Sequence, residues 1–200
     1  MTTLMSLQEI KKIGLDYETF AAESQKSLVM NVPRGGEEMA EHINLNNRRM
    51  DRIGRKTELN QELVEFLGKM QKSQTWVLLA EPWCGDVSQN LPIINRLAAF
   101  SDKIDLQIVY RDDHLDLMDR YLTNGARAIP KMIVFEDETE KEIASWGPRP
   151  QAAQQIVVDW KKAGGNNKPE MLANVQKWYA KDKGQTLQAE LLELVQKTEK

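Results

Sequence analysis

The chain has 200 residues, 41% of them hydrophobic and 28% charged, with a formal charge of −3 and a single cysteine. That size supports one core with peripheral helices, and the acidic balance argues against nucleic acid as the main partner, because phosphate neutralisation needs a concentrated basic surface. One cysteine excludes a disulfide scaffold and agrees with a reducing compartment; no window reaches the roughly 20 apolar residues of a membrane span and residues 1–16 lack the apolar run of a signal peptide, so a cytoplasmic protein without a membrane partner is expected.

Residues 6–30 read as a helix. The segment from Pro33 to Gly36 breaks the pattern, and 37–54 resumes as a charged helix with Met39, Ile43, Met50 and Ile53 inward. A third helix is expected at 58–72 on the apolar face of Leu59, Leu63, Phe66, Leu67 and Met70. From Thr75 to Ala80 a continuous apolar run has the character of a strand buried on both faces, closed by Pro82. A helix follows Cys84 to about Phe100, with Pro92 as an expected kink. Residues 104–110 alternate as a second strand, and Asp113 is placed to cap a helix running to Leu122 that Asn124 and Gly125 end. Residues 131–135 and 142–146 form two further strands bridged as a hairpin. Gly147, Pro148 and Pro150 break the chain, a helix at 151–162 turns Ile156, Val157 and Trp160 inward, 164–167 is a linker, and 169–200 carries two amphipathic helices, the second on Leu187, Leu191, Leu192 and Val195. The resulting division is a helical extension at 1–73, a core at 74–163 and a helical extension at 164–200. The core's order of elements implies an α/β fold: a four-stranded mixed sheet with flanking helices.

The residue type that carries chemistry is Cys84. It stands at a strand-to-helix turn, where unpaired N–H groups and the positive end of the helix dipole favour thiolate over thiol, so its pKa is expected to fall toward 7 or below. Asp86, two residues on, works against that by its own charge and is expected as a first-turn helix carboxylate. Val87 occupies the place of the second thiol of a Cys-x-x-Cys pair, so no internal disulfide can close.

This element order, with Trp83-Cys84-Gly85 at the first turn, Pro92 eight residues beyond the cysteine, Ile129-Pro130 opening the third strand and Gly147 after the last, resembles the thioredoxin superfamily. The flanks, including Leu45 to Met50 and Trp146 to Pro150, are similar to a bacterial subgroup of thioredoxin-like proteins with one active-site cysteine. The resemblance implies a cis-proline at Pro130, an Ile129 backbone able to pair with an extended substrate segment, and Trp83, Gly85 and Asp86 lining the groove around the sulfur. The buried acid that thioredoxins carry six residues before the nucleophile is Leu78 here, and it is lost together with the resolving cysteine.

Two functions follow as expectations. The first is a monothiol thiol–disulfide oxidoreductase in which Cys84 forms a mixed disulfide with a protein or small-molecule partner and an external low-molecular-weight thiol resolves it. The second is a non-redox binding or chaperone-like module on the same fold. Arg127 and Lys131 flank the expected groove as charges that are either solvated or hold a glutathione carboxylate. Arg48, Arg49, Arg52, Arg55 and Lys56 put positions 48, 52, 55 and 56 on one helical face, read as solvated, with anion binding as the alternative. His42 and His114 have no second ligand at zinc spacing, Asp112, Asp113, Asp116 and Asp119 lack the EF-hand pattern, and neither a metal nor a cofactor is expected.

Overall fold

The computed structural model describes residues 5–200, so the first four residues of the 1–73 extension and of the leader reading lie outside the described residues. Strands β1 (Gln74–Ala80), β2 (Ile104–Tyr110), β3 (Lys131–Glu136) and β4 (Lys141–Trp146) form one sheet in the order β2-β1-β3-β4. β1 pairs parallel with β2 and antiparallel with β3, and β3 pairs antiparallel with β4 through a register shift at Val134 and Phe135. The fold is α/β, a mixed four-stranded sheet flanked by helices. Every residue of β1 is buried, so both faces of the sheet are covered; this is why its run is continuously apolar rather than alternating.

The two sheet edges differ. At β2, Leu15 exchanges two 2.8 Å backbone bonds with Ile108 and so blocks the outer edge. This breaks the single helix expected over 6–30 into α1 (Leu7–Ile13) and α2 (Tyr17–Val29), the second capped by Asp16. The break is tertiary in origin: Gly14 lies against the Gln107 side chain, where any Cβ would overlap Gln107. At the other edge β4 is mostly exposed and carries Lys141 and Glu142.

Gly36, at a φ of 100°, starts a short 3-10 turn, and α3 (Ala40–Lys56) follows it. α4 (Gln61–Leu67) is shorter than the expected 58–72 because Asn60 caps it by accepting from Leu63 N at 3.0 Å and Gly68 ends it. α5 (Gly85–Ala98) leaves β1 and packs on α3, with Gly54 close enough that a Cβ there would lie 3.8 Å from Pro92 Cβ. The helix expected from Asp113 to Leu122 is reduced to α6 (Leu115–Met118). Asp113 does not cap it, since its carboxylate is drawn to Arg34 at 2.9 Å. Asn124 and Gly125, both at positive φ, make the turn of the Thr123–Ala126 bridge instead of a helix end.

α7 (Gln151–Lys162), α8 (Lys168–Asp182) and α9 (Gln185–Thr198) complete the described chain. α7 buries Ala153 and Val157, while Ile156 and Trp160 pack at the margin of a small cluster with Met171, Val175 and Tyr179 of α8. α9 joins the main core through Leu187, Leu191, Leu194 and Val195, with Leu192 only half-buried. Its polar side chains stitch it further: Gln188 accepts from Asn60 N at 2.7 Å, and Thr198 accepts from Gln74 of β1 at 3.0 Å. Leu7, Ile10 and Phe20 enter the same core from the N-terminal side. No described helix is long and apolar enough to cross a membrane.

Candidate functional site

The β1 to α5 turn sets the site. Pro82 ends the strand, Cys84 N donates to Glu81 O at 3.0 Å, and Cys84 O accepts from Ser88 N at 3.2 Å to open the helix, which puts Cys84 at its N-cap. The Ile129–Pro130 peptide is cis and lies across from this turn, and the Cys84 thiol donates to Ile129 O at 3.3 Å. Cys84, Ile129 and Pro130 therefore lie together. Their exposure does not match the expectation of an open groove: Cys84 is 9% exposed, and Ile129 and Pro130 are buried.

The depressed thiol is a correction. Burial, followed by the charge of Asp86, pushes the Cys84 thiol up to about 12, although the N–H groups of Val87 and Asp86 and the Arg149 charge pull the other way. The helix end acts as local reasoning predicts, but it is outweighed by desolvation, which depends on what the rest of the chain packs over the sulfur. One consequence is measurable. Below the unfolded value of about 9 the thiol is neutral in both states; between 9 and about 12 the unfolded chain ionises while the folded one keeps its proton, so stability falls with rising pH. Denaturant unfolding of Cys84→Ala should show a shallower alkaline loss than the native chain. A residual slope should remain, because burial and then Asp86 also raise the Tyr179 phenol.

Asp86 is more than a first-turn carboxylate. It accepts from Arg149 through Nε at 3.1 Å and through Nη2, and from Tyr179 Oη at 3.0 Å, while Asn90 donates to Tyr179 Oη at 2.9 Å and to the Asp86 carbonyl at 2.7 Å. Burial disfavours the Arg149 charge, yet its bonds to Asp86 more than offset this and raise its pKa. Three elements, α5, the 147–150 turn and α8, thus converge on one buried carboxylate beside the sulfur. Gly85 faces away from that network: a Cβ on it would meet Gln176 Nε2 at 3.3 Å and Arg49 Nη1 at 3.9 Å.

Trp83 is half-buried. The Arg111 guanidinium stacks 4.8 Å from its ring, Arg111 Nη1 also donates to Arg127 O at 3.0 Å, and the 33–36 loop packs on the indole at Gly35, whose φ of +83° and lack of Cβ permit the approach. Arg127 itself is engaged by Asp119, at 2.6 and 2.8 Å, and Lys131 is half-buried at the start of β3. Among the described residues no three His, Cys, Asp or Glu side chains are grouped to hold a metal.

Sequence reasoning missed two features. Leu78 is indeed apolar core, but a fully buried acid lies three residues later at Glu81, which takes Arg34 Nε at 3.0 Å, Arg34 Nη2 at 3.3 Å and Asp112 N at 2.9 Å. The available signal was an acid ending the most apolar run in the chain, a place where burial demands a partner. The second is Arg149, whose role depends on its bonds to Asp86 of α5, 63 residues away, which no local pattern announces.

The architecture has known counterparts. A crystal structure of a protein of unknown function from Pseudomonas aeruginosa superposes with a TM-score of 0.63 at 20% identity, covering 96% of this chain and 98% of that one. An HIV epitope-scaffold superposes with a TM-score of 0.62 at 18% identity, over 96% and 98%. At these identities the likeness is one of fold. No curated protein matches the sequence. The thioredoxin family model matches residues 35–163, well over half of the chain and the whole of the sheet with its β1 to α5 turn, so the chain belongs to the thioredoxin family.

Proposed function

We propose that this protein is a thioredoxin-fold binding module in which Cys84 stays protonated and serves as a hydrogen-bond donor that joins α5 to the Ile129–Pro130 segment. The observation that carries this reading is the buried thiol bonded to Ile129 O beside the Asp86 carboxylate. The half-exposed rim of Trp83, Arg111 and Arg127 is the surface it would offer a protein partner, an aromatic and arginine composition common where proteins meet.

Monothiol exchange is the second reading, favoured by the N–H groups of Asp86 and Val87 that support the sulfur's charge. In it the Cys84 thiolate attacks a partner disulfide and expels one partner thiolate; an external thiolate then attacks the mixed disulfide and releases Cys84. Relative to the unfolded value of about 9, a value of about 12 lowers the thiolate fraction at neutral pH by roughly 10³, and the more basic sulfur recovers about 20-fold through its greater nucleophilicity, leaving exchange about fiftyfold slower.

The rate of reaction with a small aromatic disulfide at pH 7, folded against denatured chain, separates the two. The binding module predicts a folded rate about fiftyfold lower. A folded rate equal to or above the denatured one supports exchange and removes the first reading. Under the binding reading, Asp86→Asn speeds the folded reaction by lifting one of the two causes that hold the proton on.

A further inference from the structure

We propose that the cleft enclosed by α3, α5 and the α8 to α9 turn binds a small polyanion, a molecule carrying two closely spaced phosphate or carboxylate groups. This cleft shares Asn90 and Tyr179 with the Asp86 network but is not lined by Cys84, Ile129 or Pro130, and the inference does not depend on any chemistry at the sulfur.

The cleft has a volume of about 490 Å³, more than one phosphate fills and within the usual range for small-ligand sites. Four cations line it, Arg49, Arg52, Lys56 and Lys183, against two acids, Glu58 and Asp182. None of the four cations has an ion-pair partner among the described residues, whereas Arg55 on the same helix pairs with Asp51 at 2.5 Å. Asp182 is already occupied, accepting from Thr186 N at 3.2 and 3.3 Å and from Thr186 Oγ1. The local charge is therefore positive on a chain that is negative as a whole.

The helical phase corrects the sequence reading, which grouped 48, 52, 55 and 56. Positions 49, 52 and 56 are spaced i, i+3 and i+7, and it is these that share the cleft-facing side of α3. Arg49 is the built part. Its Nη1 donates to Asn46 Oδ1 at 2.8 Å and Ser88 Oγ at 3.1 Å, which fixes the guanidinium and leaves its Nε and Nη2 without a protein acceptor among the described residues. Arg49 is half-buried, and a cation partly withdrawn from water costs free energy unless it is paired. Burial and then the neighbouring Arg52 charge hold the Arg49 guanidinium below its ordinary value, and an anion seated between the two would relieve both. Gln176 accepts from Gln89 at 2.7 Å, leaving its Nε2 beside Gly85 as a neutral donor at the inner end. Arginine forks suit paired anionic oxygens, and a single monovalent ion would leave most of the cations unserved.

The test is calorimetric titration of the full chain at low ionic strength with inorganic pyrophosphate and, separately, with citrate. The probes distinguish phosphate from carboxylate ligands; saturable one-to-one binding of either supports the proposal. Arg52→Glu/Lys56→Glu should bind at least about tenfold more weakly, since it reverses two charges that face the ligand. Arg52 and Lys56 are exposed, so the variant should fold, as its thermal transition will report. Lys161→Glu/Lys162→Glu alters net charge equally at the exposed end of α7 and should bind like the native chain. Cys84→Ser should bind unchanged, which keeps failure here separate from failure of the reading at Cys84. The absence of binding for both probes, or an equal loss in the two charge-reversed variants, would overturn the proposal.

Discussion

Arg149→Met should destabilise the protein by about 3–5 kcal/mol in denaturant unfolding, the cost of leaving a buried carboxylate without its cation. Asp86 and Arg149 are both nearly enclosed, with side-chain exposures of 11% and 15%, so solvent screening does little to soften the loss. Methionine keeps much of the apolar stem of arginine but none of its donors, so Asp86 would retain only the Tyr179 hydroxyl. The pair is best judged by a double-mutant cycle. Asp86→Leu/Arg149→Met, which removes both charges, should recover much of the single variant's loss, because the desolvation penalty of the pair disappears with it. A single-variant loss below about 1 kcal/mol, or strict additivity in the cycle, would mean that the two side chains are not coupled in solution.

Gly147→Ala should cost roughly 3 kcal/mol, and by a different mechanism. Gly147 has a φ of +115°, a conformation L residues rarely adopt, and its Cα lies against the main chain of the neighbouring segment. A Cβ would overlap the Pro130 carbonyl oxygen and come within 3.3 Å of Lys131 Cα. These are backbone atoms and cannot swing aside as a side chain would, so the two strand ends must separate. The same displacement pulls Arg149 from Asp86, so this variant should also lose part of the ion-pair contribution. A melting temperature within about 2 °C of the native chain would show that the β4 exit is not packed as described.

Much of the fold was legible because its cause is local. The 76–80 run is apolar at every position because β1 is covered on both faces, and the thioredoxin resemblance implies the Ile129-Pro130 bend, where Ile129 O accepts from the sulfur. What was misread depended on distant partners. Asp113 has the composition of a helix cap, but Arg34, 79 residues away in sequence, captures its carboxylate. Gly14 sits inside a plausible helical pattern and is extended because β2 needs a neighbour at its edge. Arg49 falls outside the face formed by 48, 52, 55 and 56 because a charge run carries little phase information, whereas Asn46 and Ser88 fix it in three dimensions beside the cleft. The acidity of Cys84 followed the same course: the helix N-terminus is visible in the sequence, and the burial that overrides it is not.

Retention of the proton on folded Cys84 is measured directly by the pH dependence of its alkylation. With iodoacetamide as the probe, the native chain should react with a midpoint above about 10 and the denatured chain near 9, and Asp86→Asn should shift the native midpoint downward. A native midpoint at or below about 8 would instead make the sulfur an activated nucleophile at its helix end, and monothiol exchange would replace binding as the function of this site.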